Sequence, residues 1–123
     1  MLIRYKKNLE KIAMGLLSFM PEEKEVKKLQ QTIKEYETNP NWKLFLWKQE
    51  DILGAIGVQT EVEGVVMIQH ITVNPSHRNL GIGKQMVQAI KEMYSDEYVE
   101  ANDRTKFFLE KCESERDQLD KNS

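Results

Sequence analysis

The sequence predicts an α+β fold, a mixed and mostly antiparallel central sheet carrying helices. Three observations predict it. Strand-like runs at Trp42–Trp47, Ile52–Thr60 and Val65–Val73 follow one another through short polar turns, which is the pattern of an antiparallel meander. Apolar residues recur at helical spacing both before and after that meander. Between Val73 and Ile82 a strand passes into a helix through a polar, glycine-bearing loop.

The elements follow in order. Leu2–Tyr5 is a short apolar start and reads as a first strand. Ile12, Leu16, Phe19 and Met20 form a helical stripe that Pro21 ends. Glu22, Glu23 and Glu25 suit the positive end of a second helix, whose stripe is Val26, Leu29, Ile33 and Tyr36. Asn39-Pro40-Asn41 is a turn cluster before the aromatic-rich strand at 42–47. Gly54 and Gly57 inside the next strand point to a bulge or to a close backbone neighbour. Glu61–Gly64 turns the chain into the strand at 65–73. The helix after the loop places Ile82, Met86, Ile90 and Met93 on one face, with Lys84, Gln85, Gln88 and Lys91 on the wet side. Tyr98–Ala101 reads as a short strand. Asn102 or Asp103 caps a last helix with Thr105, Phe108, Leu109 and Cys112 inward.

Composition narrows the function classes. The 123 residues suit one domain spanning 1–123, with a polar and frayed end from about 113. A formal net charge of −2 leaves no basic excess for nucleic acid or an anionic membrane. No apolar run approaches the ~18 residues of a membrane-spanning helix, and the start lacks the pattern of a signal peptide. One cysteine, Cys112, excludes an internal disulfide. The chain is therefore expected in the cytoplasm.

The chemistry concentrates in Val73-Asn74-Pro75-Ser76-His77-Arg78-Asn79-Leu80-Gly81-Ile82-Gly83-Lys84. The first amides of a helix lack intrahelical partners and carry the positive end of the dipole, so they can take a phosphate. Gly81 and Gly83 let backbone approach a ligand closely, and Arg78 and Lys84 add cations. The loop is not a Walker sequence, because Arg78 stands at the first glycine position and Gln85 follows Lys84. It is not the dinucleotide fingerprint, because Met86 holds the third glycine position.

Arg78-Asn79-Leu80-Gly81-Ile82-Gly83 does match Arg/Gln-x-x-Gly-x-Gly, and after a strand ending at Val73 it resembles the acetyl-CoA loop of the GCN5-related N-acetyltransferases. The element order is similar across almost the whole chain. Asn102, Phe108 and Lys111 match a second family pattern, Asn-x-x-Ala-x-x-Phe-Tyr-x-Lys, in the last helix. In size and sequence the chain resembles the small acetyltransferase-like members found in bacterial riboflavin-biosynthesis operons.

The resemblance implies the acyl-CoA N-acyltransferase fold with helices on both sheet faces, acetyl-CoA as co-substrate, no metal, and a small-molecule or protein amine as acceptor. It implies a diphosphate held by backbone from Arg78 through Asn79, Leu80, Gly81, Ile82 and Gly83 to Lys84. The pantetheine arm would lie along main-chain groups of Ile71, Thr72 and Val73 as an added strand, with Asn102 and Phe108 flanking the thioester end. A backbone N–H near Val73 would polarise the carbonyl. The base positions of the family fall on the face expected to hold residues 67, 69, 71 and 73, with His70 and Thr72 opposite. They carry Met67 and Gln69, which do not take a proton near neutral pH, and Leu109 replaces the tyrosine that often protonates the leaving thiolate. No catalytic residue is therefore assigned; Glu61 and Glu63 are remote candidates through water. Two C-terminal strands usual in the family have no counterpart, so the strand at 98–101 would be an edge, and a homodimer that covers it is expected. A non-catalytic acyl-CoA-binding protein on the same fold is the alternative.

Overall fold

A computed structural model describes residues 1–111. Its elements are β1 (Leu2–Arg4), α1 (Glu10–Leu17), α2 (Val26–Thr38), β2 (Trp42–Lys48), β3 (Ile52–Gln59), β4 (Val65–Val73), α3 (Ile82–Met93) and β5 (Tyr98–Ala101). A further helix opens at 106 and runs to the last described residue, 111. The expected inward Cys112 and the polar segment from 113 lie outside the described residues.

Among the described residues the five strands form one sheet in sequential order. β1 to β4 are antiparallel neighbours, and β4 and β5 are parallel. A parallel pair needs a crossover, and α3 supplies it between β4 and β5. The fold is thus mixed α+β, as the meander and the flanking stripes predict.

Helices cover both faces. On one, α3 buries Ile82, Met86, Val87 and Ile90 against Ile56, Val66, Ile68, Ile71 and Val73. On the other, α1 and α2 bury Ala13, Leu16, Leu17, Leu29, Ile33 and Tyr36 against Leu44, Leu46 and Ala55. Each fully buried aliphatic side chain stabilises the fold by about 1.5–3 kcal/mol.

The helical stripes differ from expectation at their ends. Ile12 and Phe19 are exposed, because α1 stops at Leu17 and its inward face is Ala13, Leu16 and Leu17. Val26 begins α2 and is exposed, while Thr32 is buried in its place. Met93 ends α3 half exposed, and Val87 takes its core position.

Both strand glycines answer to close neighbours. A Cβ on Gly54 would lie 3.0 Å from the Thr72 carbonyl oxygen and from the Met86 methyl. A Cβ on Gly57 would overlap the Tyr36 hydroxyl. A bulge also lies beside Gly57, since Gly57 pairs with His70 while the next residue, Val58, pairs with Ile68.

Candidate functional site

The bulge sets the geometry of the site. Gln69 is the extra residue of β4, with no partner on β3. It breaks the alternation of side chains assumed from sequence. Val66 and Ile68 before it, and Ile71 and Val73 after it, all face α3. Ile71 and Val73 therefore do not share a face with Met67, as expected from strict period two. His70 lies on the opposite face, bonded to Tyr36 of α2.

β5 pairs with β4 only from Val65 to Ile68, so the sheet opens beyond the bulge. There the Thr105 hydroxyl donates to the Ile68 carbonyl at 2.8 Å and ties the start of the last helix to the fork. Past the fork, β4 has a free edge. The Asn74 N–H donates to the Leu53 carbonyl, which makes Gly54–Val73 and Ile56–Ile71 non-hydrogen-bonded pairs. The N–H and C=O groups of Ile71 and Val73 therefore point away from β3, into the gap. Those of Thr72 point toward β3, so of the three expected main-chain contributors only Ile71 and Val73 face the opening.

The loop after β4 is built from residues chosen for backbone shape. Pro75–His77 makes a 3-10 turn, with the Asn74 side chain accepting from the Ser76 N–H at 3.0 Å. Asn79 (φ 67°) and Gly81 (φ 79°) are left-handed. Asn tolerates that region, and Gly enters it without cost. Gly81 is the N-cap of α3, and no side chain caps the helix. The Gln85 N–H already bonds to the Gly81 carbonyl, which leaves the amides of Ile82, Gly83 and Lys84 at the open end.

A cavity of about 390 Å³ joins the free edge to this helix mouth. Of the expected site residues, Ile71, Thr72, Val73, Arg78, Asn79, Gly81, Ile82, Gly83 and Phe108 line it. Leu80 points outward and is 63% exposed. Lys84 and Asn102 do not line it either. Lys84 follows Gly83 around the helix toward the wet side. Asn102 spends its side chain as a cap, accepting from the Arg104 and Thr105 N–H groups at 3.0 Å each. Sequence reasoning missed the opposite wall, where Phe19, Met20, Pro21 and Glu22 close the cavity, and it missed Arg104 and Phe107. Phe19 was read as part of the inward stripe of the first helix, so nothing in the sequence marked it as a cavity wall.

Behind the wall lies a second feature, a buried polar network. Tyr36 Oη lies 2.6 Å from His70 Nδ1, and His70 Nε2 lies 2.9 Å from Glu23 Oε1. The Thr32 hydroxyl donates to Glu23 Oε2 at 2.8 Å, and Arg104 Nη1 stands 3.7 Å from Oε1. Burial alone would push the Glu23 carboxyl up. Hydrogen bonds from His70 and Thr32, and the charges of His70 and Lys28, outweigh that and hold it below its usual value. Burial raises the Tyr36 phenol well above its usual value, so it keeps its proton. The His70 ring is thus bracketed, with the Tyr36 hydroxyl at Nδ1 and the Glu23 carboxylate at Nε2. Glu23 is thus not a surface charge at a helix start, as its place beside Glu22 and Glu25 suggested. Its signal was distributed, with Tyr36, His70 and Gly57 all at positions that pattern alone assigns to core. His70 does not line the cavity. Glu61 accepts from the Trp42 indole N–H at 2.9 Å at the surface, and Glu63 is exposed.

Residues 9–113 match the acetyltransferase (GNAT) family. The chain belongs to that family. A GNAT relative from Bacillus methanolicus, named as an uncharacterized N-acetyltransferase in the lysA 3′ region, is 61% identical over 114 residues, covering 92% of this chain and 95% of its own. Among solved structures, the aminoglycoside N-acetyltransferase AAC(6′)-Iy in complex with CoA is similar with a TM-score of 0.73 at 15% identity, over 94% of this chain and 85% of that one. The aminoglycoside 6′-N-acetyltransferase AAC(6′)-Ih from Acinetobacter baumannii gives a TM-score of 0.67 at 15% identity, over 89% and 83%. At that identity the two enzymes share the GNAT fold with this chain. Among the described residues of this GNAT domain, no group of three His, Cys, Asp or Glu side chains is placed to hold a metal ion. No described helix is long and apolar enough to cross a membrane.

Proposed function

We propose that this GNAT domain transfers the acetyl group of acetyl-CoA to an amine. One observation carries the reading: a single cavity joins the uncapped amides of α3 to the unpaired edge of β4 at Ile71 and Val73. The helix mouth, with Arg78, Asn79 and Gly81 around it, suits the diphosphate. The free edge suits the amides of the pantetheine arm, which pairs like a fifth strand's missing continuation. Phe108 and Phe19 supply apolar walls. The Val73 N–H, aimed into the gap, is placed to polarise the thioester carbonyl. Arg78 Nε now donates to the Val73 carbonyl at 3.2 Å, a bond that holds the guanidinium at the mouth.

The amine must be neutral to attack, and an alkylamine has a pKa near ~10.4. His70 is sealed in its network, Gln69 and Met67 are not bases, and Leu109 offers no proton to sulfur. A thiol needs little help to leave, since its pKa is near ~8.5. The missing base therefore selects an amine of low pKa, or one that loses its proton to water. The same absence favours a second reading, an acyl-CoA-binding regulator without turnover. Release of CoA thiol across a panel of amines separates them: turnover with any amine above the buffer rate supports the enzyme, and none supports the regulator.

Gly81→Val tests the cradle itself. A β-branched residue is strained at φ 79°, and the nearest atom to a new Cβ is 3.9 Å away, so the loop shifts while the core stays packed. We expect CoA affinity to fall at least tenfold by calorimetry with an intact melting transition. Unchanged affinity removes the assignment.

The aminoglycoside acetyltransferases among the fold neighbours support a small-molecule acceptor over a protein one. Among the described residues the outer edge of β5 has no neighbour, with Tyr98 exposed on it, which supports a homodimer; a monomer at micromolar concentration in light scattering counts against it. A link to riboflavin biosynthesis has the likeness in size and sequence as its support, and unchanged flavin output after loss of the gene removes it. A cytoplasmic site agrees with the need for acetyl-CoA.

A further inference from the structure

The two ends of the cavity differ in the chemistry they present. Near the helix mouth, Arg78 and His77 face the region assigned to the diphosphate. Arg104 stands at the other end. It follows Asn102, whose N–H reaches the Ile68 carbonyl, and it precedes Thr105, whose hydroxyl bonds the same oxygen. That places it at the fork of β4 and β5, roughly 10–16 Å along the strand from Val73. The diphosphate does not account for a guanidinium there.

Arg104 is also held in position. Its Nη1 stands 3.7 Å from Glu23 Oε1, and the Glu23 side chain is completely buried while that of Arg104 remains 32% exposed. Glu23 is pinned in turn by His70 and Thr32. The guanidinium therefore projects from a fixed base and can still offer N–H groups to the cavity. Apart from Glu22, the charged residues of the lining are basic: Arg78, Arg104 and Lys111.

Resting on the acetyltransferase reading, we propose that the acceptor is an amine that also carries an anionic oxygen group, a carboxylate or a phosphate, which Arg104 binds. Glu23 is a positioning residue: it orients Arg104 and does not touch substrate. The reaction stays balanced. The amine nitrogen attacks the thioester carbonyl, the C–S bond breaks, CoA leaves as thiol or thiolate, and the amine proton passes to water. A polycation of the aminoglycoside type brings no anionic group for the Arg104 guanidinium to bind.

The test is a calorimetric titration of the CoA-loaded full chain, with turnover measured alongside. The probes are L-glutamate, phosphoethanolamine, n-butylamine and neamine. We expect glutamate or phosphoethanolamine to bind better than n-butylamine, and neamine to bind worst. The first two probes separate a carboxylate from a phosphate. Arg104→Ala should weaken the preferred anionic amine by roughly ten- to hundredfold, with n-butylamine and CoA changed less than twofold, and Arg104→Lys should recover part of the loss. Binding of neither anionic amine, preference for neamine, or an Arg104→Ala loss that falls on CoA overturns the proposal. If CoA itself fails to bind, the acetyltransferase reading falls first, and this inference with it. Anionic-amine binding without turnover upholds the subsite and favours the regulator.

Discussion

Gly57→Ala is the smallest change that should damage both the fold and its buried network. The Cβ of an alanine at 57 overlaps the Tyr36 hydroxyl and crowds its Cε1 at 3.0 Å. Tyr36 cannot simply rotate away, because its ring packs between α2 and the sheet beside Trp42 and His70. Forcing a methyl into such a site costs about 1–3 kcal/mol. The displaced hydroxyl also leaves His70 Nδ1, its partner at 2.6 Å, and buried polar atoms without partners cost about 1–3 kcal/mol more. The sum is about 2–6 kcal/mol, against a total stability of about 5–15 kcal/mol. For a chain of this size each kcal/mol moves the melting temperature by roughly 3–6 °C, so the drop should be about 6 °C at least. Gly15→Ala is the matched control. Gly15 is exposed inside α1, and no atom lies within 4 Å of its added Cβ, so the same substitution should stabilise by about 0.5–1 kcal/mol. Thermal melts by circular dichroism, with urea titrations for free energy, measure both. If the two variants melt within 2 °C of each other, the overlap at Tyr36 is not a constraint and the reasoning fails.

Other outcomes follow from the same geometry. Thr105→Val keeps the shape of a fully buried side chain but removes the hydroxyl that ties the last helix to the Ile68 carbonyl; stability should fall by about 1–3 kcal/mol in urea, with weaker CoA binding, and an unchanged midpoint contradicts this. Because the Glu23 carboxyl titrates lower in the fold than its ordinary 4.5, its contribution is full above about pH 4.5 and is lost as pH falls through the lower folded value. The melting-temperature gap between the wild type and Glu23→Gln should therefore be wide near neutrality and narrow below about pH 4.5, whereas a constant gap would show that Glu23 titrates alike folded and unfolded. Leu109→Tyr, which adds the phenol that the family resemblance leads one to expect there, should leave CoA affinity within about twofold, and a large loss would mean that Leu109 packs more tightly than its half-buried state indicates.

Much of the fold was legible in the sequence because its signals were local. Turn clusters bounded β2, β3 and β4, and the residues of β4 and β5 were bounded as the structure has them. The loop was legible for the same reason, since Gly81 and the polar run before it state a backbone shape. The site beyond the loop was not, because one unpaired residue governs it. Gln69 looks like any polar strand residue, yet as a bulge it turns His70 toward Glu23 and frees the edge at Ile71 and Val73. Nothing local pairs Glu23 with His70, 47 residues away, or brings Phe19 and Arg104 to one cavity. Asn102 was legible as a cap, and the cap is where its side chain is used.

The fork between β4 and β5 also has a consequence for the empty protein. A free strand edge proposed to take a cofactor is equally open to any other extended chain. On that proposal, supply of the cofactor would govern how long each molecule escapes mispairing with its neighbours.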